Sequence, residues 1–324
     1  MSGKGREPVR VGVIGLGRMG QNHVRVLSLL AAADLRFAYD ADQDVARRLS
    51  EAAGIPPVTD LDGALAGVDA VVIATPTTTH EAYIRQAAGK VRHIFVEKPV
   101  TEQLSTSIAV AEFAAQAGLH VQVGFIERFN PAVQQMKTML DASEQVVSVD
   151  FTRTNKISAR ITDVDVVTDL MIHDIDLALH LNGPAVDVSA HGVAEGPMVD
   201  YAAALLTHRN GRFSRIQASR ITDKRMRSIQ ATCKDMFVDC DLLAKEIMVS
   251  RHSGLDQRPG ESYRIAAVQE QVEVQPREAL QLELLAFLDA CHDGPSQEVP
   301  GLAEAVAAME VCERVLGDIL QSPV

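Results

Sequence analysis

Gly15-Leu16-Gly17-Arg18-Met19-Gly20 places glycines at the first, third and sixth positions of a short loop. In a strand-to-helix turn, the first glycine permits the tight bend and the second lets a pyrophosphate approach the backbone. The third lets helix and strand pack closely, and the helix N-terminus then offers free N–H groups to the phosphates. Asp40 follows Gly20 by twenty residues. A carboxylate there accepts hydrogen bonds from ribose hydroxyls and repels a 2′-phosphate, which favours NAD over NADP, and Ala41 supplies no arginine to offset that repulsion. The same residues, taken singly, also describe a glycine turn and a helix-capping aspartate in an unrelated α/β fold.

A second group of residues suits proton transfer. Asp169, His173 and Asp176 stand at i, i+4 and i+7 and share one helical face, with Ile172, Ile175 and Leu179 as the buried stripe. An imidazole with an ordinary pKa of about 6.5 can take a hydroxyl proton near neutral pH. The spacing alone describes a histidine packed between helices equally well. No third ligand at metal-site spacing accompanies His173 and Asp176, so no metal is expected. Thr75-Pro76 ends a strand, where open α/β sheets bind ligands. Thr77 to Thr79 read as helix caps. His80 reads either as a solvent-facing residue of the first helical turn or as a lining of the nicotinamide side.

These groups need a scaffold. Val9 to Ile14, Leu35 to Tyr39, Ala70 to Ala74, His93 to Val96 and His120 to Val123 are apolar runs without alternation, as in strands buried on both faces. Helical stretches such as Asp42 to Ala53 and Ser105 to Ala117 lie between them, with Gly54 and Gly118 as left-handed caps. The alternation predicts a doubly wound parallel sheet, a Rossmann domain over residues 1–124. Residues 125–324 read differently. Helices are expected from Asn130-Pro131 and over Val164 to Leu181, and a strand over Val146 to Thr154. Polar-apolar alternation then marks strands at Val186 to Val193, Tyr201 to Leu206, Phe213 to Ser219, Ser228 to Thr232 and Met236 to Cys240. Helices over Arg277 to Cys291 and Leu302 to Leu320 close the chain. This is an α+β domain with a largely antiparallel, open-faced sheet.

Composition narrows the partners. The 324 residues are 47% hydrophobic and 23% charged, enough for a large core. A net charge of -12 disfavours nucleic acid and anionic membrane surfaces. Residues 255–324 hold 4 basic and 13 acidic groups, a solvated outer face, whereas 207–230 holds seven basic residues and one acid. No apolar run approaches the roughly 20 residues of a membrane span. The charged N-terminus lacks a small-residue cleavage site, so the cytoplasm is the expected compartment. Cys233, Cys240, Cys291 and Cys312 lack C-x2-C pairing and read as reduced, mostly buried thiols.

The glycine loop, Glu97-Lys98-Pro99 and the D-x-x-x-H run from Asp169 to His173 together resemble the Gfo/Idh/MocA family of NAD(P)-dependent sugar and polyol dehydrogenases, over nearly the whole chain. The resemblance implies a catalytic set of Lys98, Asp169 and His173, and a cis Lys98-Pro99 bond. Asp169 would orient the imidazole and favour its protonated form, while Lys98 would hold the reacting oxygen. It implies that NAD meets Gly15, Leu16, Gly17, Arg18, Met19, Gly20, Asp40, Thr75, Pro76, His80, Glu97 and Lys98.

Glu127-Arg128-Phe129-Asn130-Pro131, the run from Arg160 to Asp169, and Ala218 to Lys224 look like the branch that oxidises the 3-hydroxyl of UDP-N-acetylglucosamine. That ketone serves the 2,3-diamino sugar route to lipid A. Substrate contacts would then be Lys98, Arg128, Asn130, Arg160, Asp169, His173, Asp176 and Arg220, arginine forks being suited to a diphosphate. An inositol or other polyol and another nucleotide sugar are the alternatives. The resemblance also reaches non-catalytic NAD-binding regulators, against which the complete Lys98, Asp169 and His173 set argues. It further implies a homodimer or homotetramer formed through the open sheet.

Overall fold

Strands β1 (Val9–Ile14), β2 (Ala33–Tyr39), β3 (Ala70–Ile73), β4 (His93–Glu97) and β5 (His120–Gly124) form one parallel sheet in the order β2-β1-β3-β4-β5. In this computed structural model, residues 6–155, 164–196, 198–256, 264–294, 296 and 298–321 are described. Val11, Val13, Val71, Val72, Ile94 and Val96 are wholly buried, which is why these strands are continuous apolar runs. The crossovers are α1 (Arg18–Leu27), α2 (Gln43–Ala53) with the short α3 (Leu61–Leu65), α4 (His80–Ala87) and α5 (Leu104–Gln116). Asp42 caps α2 by accepting from the N–H groups of Asp44 and Val45, and Gly54 ends it at φ 69°. The strand order reverses between β1 and β3, the place where such sheets bind ligands beyond their carboxyl ends.

The chain divides into two units, residues 1–126 with 278–307 and residues 127–277 with 308–324. A single boundary near residue 124 therefore describes only the first crossing. Helix α8 (Ala279–Asp293) turns Leu280, Leu284, Phe287 and Leu288 into the core of Val9, Val11, Val13 and Phe95, so its apolar stripe completes the first unit. The closing helix α9 (Leu302–Gln321) begins in the first unit and ends in the second.

In the second unit, α6 (Pro131–Asp141) starts at Asn130, whose side chain accepts from the Ala132 N–H at 3.1 Å. After β6 (Val146–Thr154), a π-helical turn over Val167–Met171 leads into α7 (Ile172–Asn182). Then come β7 (Ala185–Glu195), β8 (Met198–His208), β9 (Phe213–Ser219), β10 (Met226–Cys233), β11 (Phe237–Asp241), β12 (Glu246–Asp256) and β13 (Arg264–Val272). The eight strands run β13-β12-β11-β10-β6-β9-β8-β7 and pair antiparallel except β6 with β9. Helix α7 packs against β6 and β9. On the opposite sheet face Val193, Leu205 and Phe237 are exposed.

All four cysteines are free, with Cys233, Cys240 and Cys312 buried. Burial pushes the thiols of Cys240 and Cys291 up to about 12, so both are inert neutral thiols. Among the described residues no helix is long and apolar enough to cross a membrane.

Candidate active site

The glycine loop takes the form its spacing requires. Gly15 has φ +89°, and a Cβ there would stand 2.6 Å from the Thr75 amide nitrogen. A Cβ on Gly20 would stand 1.8 Å from the Gly15 carbonyl oxygen, so that glycine brings helix and loop together. At Gly17 a Cβ would meet nothing within 4 Å, so the space in front of it is left by the protein. Gly17 caps α1 without a side-chain hydrogen bond, which leaves the first N–H groups of the helix facing that space. Asp40 accepts from the Leu16 N–H at 2.7 Å and the Asp42 N–H at 2.9 Å, which orients its carboxylate at the mouth of the loop. These features fit the diphosphate and ribose of a dinucleotide. Leu16 itself is buried in the core, so only its backbone faces the loop, while the Arg18 side chain is exposed.

A cleft of about 670 Å³ continues from Gly15, Gly17 and Asp40 past Thr75 and Pro76 to Glu97 and Lys98. Its far end is tied by two histidines. His80 is buried rather than solvent-facing, with Nε2 2.9 Å from the Thr75 carbonyl oxygen and Nδ1 3.0 Å from that of Pro99. Burial pushes its pKa below the ordinary value, although the surrounding carbonyl oxygens pull it up. The ring thus stands between the backbone after β3 and the turn after β4. The Lys98-Pro99 bond is cis. His23 was not singled out from the sequence. It is wholly buried on α1, with Nε2 2.7 Å from Glu97 Oε1. A histidine three residues past Gly20, on the inward face of an otherwise apolar stripe, is the signal that could have flagged it. Gly124 leaves room for the same carboxylate, since a Cβ there would stand 2.8 Å from Glu97 Oε2.

In the second unit the expected single α-helix from Val164 is interrupted by the π turn that contains Asp169. π turns recur at functional sites. Asp165 starts it by accepting from the N–H groups of Val167 (2.7 Å) and Thr168 (2.9 Å). His173 lies in the first turn of α7 and is partly exposed. Asp176 does not join an open face with them. It is buried and paired with Arg128, whose Nε and Nη2 donate at 2.8 and 2.6 Å. Asp174 is held in the same way by Arg153, at 2.8 Å from both Nε and Nη2. Arg153 Nη1 also donates to Glu127 at 3.0 Å, and Arg227 reaches the same oxygen at 3.4 Å. Asn130 combines its capping role with a 3.2 Å hydrogen bond to Glu127. Arg220 donates to Asp169 at 3.0 Å and to the Val164 and Asp165 carbonyl oxygens.

Arg128 and Arg220 are therefore engaged within the unit, because a buried guanidinium needs an anion, which Asp176 of α7 and Asp169 of the π turn provide. Arg160 lies outside the described residues. His180 is half-buried, and burial pushes its pKa down to about 4, so it is neutral rather than a cation at the helix end. Among the described residues no cluster of three or more His, Cys, Asp or Glu side chains could hold a metal ion.

The oxidoreductase family with an NAD-binding Rossmann fold matches residues 9–125, and the GFO/IDH/MocA C-terminal domain matches residues 145–235. UDP-N-acetylglucosamine 3-dehydrogenase from Acidithiobacillus ferrooxidans is 32% identical over 285 residues, 87% of this chain and 88% of that protein. The scyllo-inositol 2-dehydrogenase (NAD(+)) of Bacillus subtilis is 34% identical over 65% of this chain and 67% of its own. The solved structure of the A. ferrooxidans enzyme superposes with a TM-score of 0.85 at 27% identity, covering 96% of this chain and 97% of that one. The levoglucosan dehydrogenase complex with NADH and L-sorbose shares the fold at a TM-score of 0.82 and 19% identity, over 97% of each chain. With the glycine loop, the cleft and both domains matched, the chain belongs to the Gfo/Idh/MocA family and is an NAD-dependent oxidoreductase.

Proposed function

We propose that the protein oxidises a secondary hydroxyl of a sugar to a ketone, and that the hydroxyl is the 3-OH of UDP-N-acetylglucosamine. The observation that carries the substrate is the extent of the likeness to the A. ferrooxidans dehydrogenase, 87% and 88% of the two chains, against 65% and 67% for the scyllo-inositol enzyme. The proposed contacts of NAD are the glycine loop, Asp40, the Thr75-Pro76 turn and Glu97-Lys98. When bound, NAD supplies the acceptor for the hydride leaving the sugar carbon. His173 takes the hydroxyl proton, Asp169 orients and supports the resulting imidazolium, and Lys98 holds the oxygen as negative charge develops. Alcohol thus becomes ketone by loss of one hydride and one proton. A 3-ketone is in turn a substrate for amino transfer, which suits the 2,3-diamino sugar route to lipid A.

Mixing the enzyme with NAD and a panel of UDP sugars, inositols and free sugars tests the substrate. NADH absorbance should rise fastest with UDP-N-acetylglucosamine, and a faster rise with an inositol would move the assignment to the polyol reading. Asp40→Ala should weaken NAD binding by about tenfold, the worth of a hydrogen bond to a charged group, and narrow the preference over NADP. Calorimetric titration with both dinucleotides measures this, and an unchanged preference removes Asp40 from the role. A second copy is the proposed cover for the exposed apolar residues of the eight-stranded sheet, giving a dimer or tetramer by sedimentation.

A further inference from the structure

Lys98, in the turn after β4, stands between anchored neighbours. Before it, Glu97 places Oε1 2.7 Å from Nε2 of the wholly buried His23 on α1. After it, the carbonyl oxygens of Pro99 and Val100 lie 3.0 and 3.2 Å from Nδ1 of His80, the first residue of α4, which is 1% exposed. Pro99 has no N–H, so its backbone hold on a neighbour runs through that carbonyl oxygen. The hydroxyls of Thr101 and Ser107 are 2.6 Å apart, which anchors the segment again where it enters α5.

The two nitrogens of His80 do different work. Nε2 faces the Thr75 carbonyl oxygen at 2.9 Å, five residues back in its own turn. That turn is also closed without the ring, because the Thr79 N–H donates to the Pro76 carbonyl oxygen at 2.9 Å and the Thr79 hydroxyl donates to the Thr75 hydroxyl at 2.8 Å. Nδ1 instead reaches 19 and 20 residues along the chain, to a different turn. A carbonyl oxygen only accepts, so a ring nitrogen ties a turn only when it carries a proton. A ring with one proton serves more acceptors with it on Nδ1, where two converge, and a second proton on Nε2 adds the Thr75 bond.

We propose that His80 is a positioning residue for Lys98: its Nδ1–H holds the Pro99 and Val100 carbonyl oxygens and so fixes where the Lys98 turn stands beside the cleft. The proposal rests on the role given to Lys98 above. Asparagine and glutamine separate the two sides of the ring, since the amide nitrogen of asparagine stands near the place of Nδ1 and that of glutamine near the place of Nε2. His80→Gln keeps a donor for Thr75 but none for Pro99 and Val100, so kcat should fall about 10- to 100-fold, the cost of a misplaced group. His80→Asn should recover most of that loss. NADH affinity, read by fluorescence titration, should stay near the wild-type value in both, because the Thr75-Pro76 turn keeps its threonine bonds. In the Lys98→Ala background the glutamine change should add little, since a residue that acts through Lys98 then has nothing to position. Turnover is read as NADH formed from NAD with the sugar of the panel that reacts fastest. Equal turnover in the two His80 variants would show a histidine needed only for packing and overturn the proposal, as would a full additional loss in the Lys98→Ala background. Where the glutamine variant does not fold, a loss in His80→Asn as deep as that in Lys98→Ala overturns it. Wild-type turnover in Lys98→Ala would instead sink the role of Lys98, and that variant alone separates this failure from the others.

Discussion

Replacing His173 with asparagine should lower turnover by about 10²–10⁴-fold, the contribution of a positioned general base, while NAD binds as tightly as before. The asparagine keeps a polar side chain of similar size but cannot take the hydroxyl proton. His173 belongs to the unit built on the eight-stranded sheet, whereas the glycine loop, Asp40 and the Thr75-Pro76 turn all belong to the other unit. Loss of the proposed base therefore removes none of the proposed dinucleotide contacts. Lys98→Ala should cost a similar amount, about 10²–10³-fold, by removing the cation proposed to meet the developing negative charge. Because Lys98 also lines the cleft, its loss should change NAD affinity a few-fold at most. Fluorescence titration with NADH and steady-state rates separate the two effects. Near wild-type rates in either variant contradict the mechanism, and a collapse of NADH affinity in His173→Asn would show instead that the variant had lost its fold.

Arg153→Met should be the most damaging single change to stability, with a loss of about 3–5 kcal/mol. The Arg153 side chain is 2% exposed, and it holds Asp174 with two donors and Glu127 with a third. Methionine fills part of the volume but leaves two buried carboxylates, of which Glu127 keeps Arg227 at 3.4 Å and Asn130 at 3.2 Å. Burial pushes the Glu127 carboxyl up, yet Arg153 and Arg227 outweigh it and hold the group below its ordinary range. That stability is present above the unfolded pKa and is lost as pH falls through the folded one. Without Arg153 the sign reverses. The folded carboxyl then titrates above its unfolded value and the variant's deficit grows as pH rises. Urea denaturation should accordingly show a larger gap between variant and wild type near about pH 7 than near about pH 5. A gap of the same size at both would mean that packing, not uncompensated charge, accounts for the loss.

Local features were legible in the sequence, and long-range pairings were not. The glycine loop and Asp40 could be read because each function is written within one turn or one strand end. Strands β3 and β4 could be read most directly because burial on both faces leaves unbroken apolar runs at Ala70–Ile73 and Ile94 to Val96. Strands β12 and β13 were missed. Glu246–Asp256 and Arg264–Val272 carry only short apolar stretches among polar residues, as strands at a sheet margin do. The π turn was read as ordinary helix because no residue type specifies an inserted position. The return of α8 to the first unit was hidden because an apolar stripe does not say which sheet it will cover. Arg128 and Arg220 looked like phosphate ligands because their partners, Asp176 and Asp169, lie 48 and 51 residues away. Once the fold brings them together, the arginines explain how three carboxylates can crowd one short run.

Removal of a hydride from one sugar carbon, with transfer to NAD, is the centre of the account. UDP-N-acetylglucosamine carrying deuterium at C3 tests it most directly. Turnover with NAD should give a dinucleotide product that carries the deuterium, a 3-keto sugar without it, and a rate slowed relative to the unlabelled substrate. Unlabelled NADH from the deuterated sugar, or no reduction of NAD at all, would contradict the account.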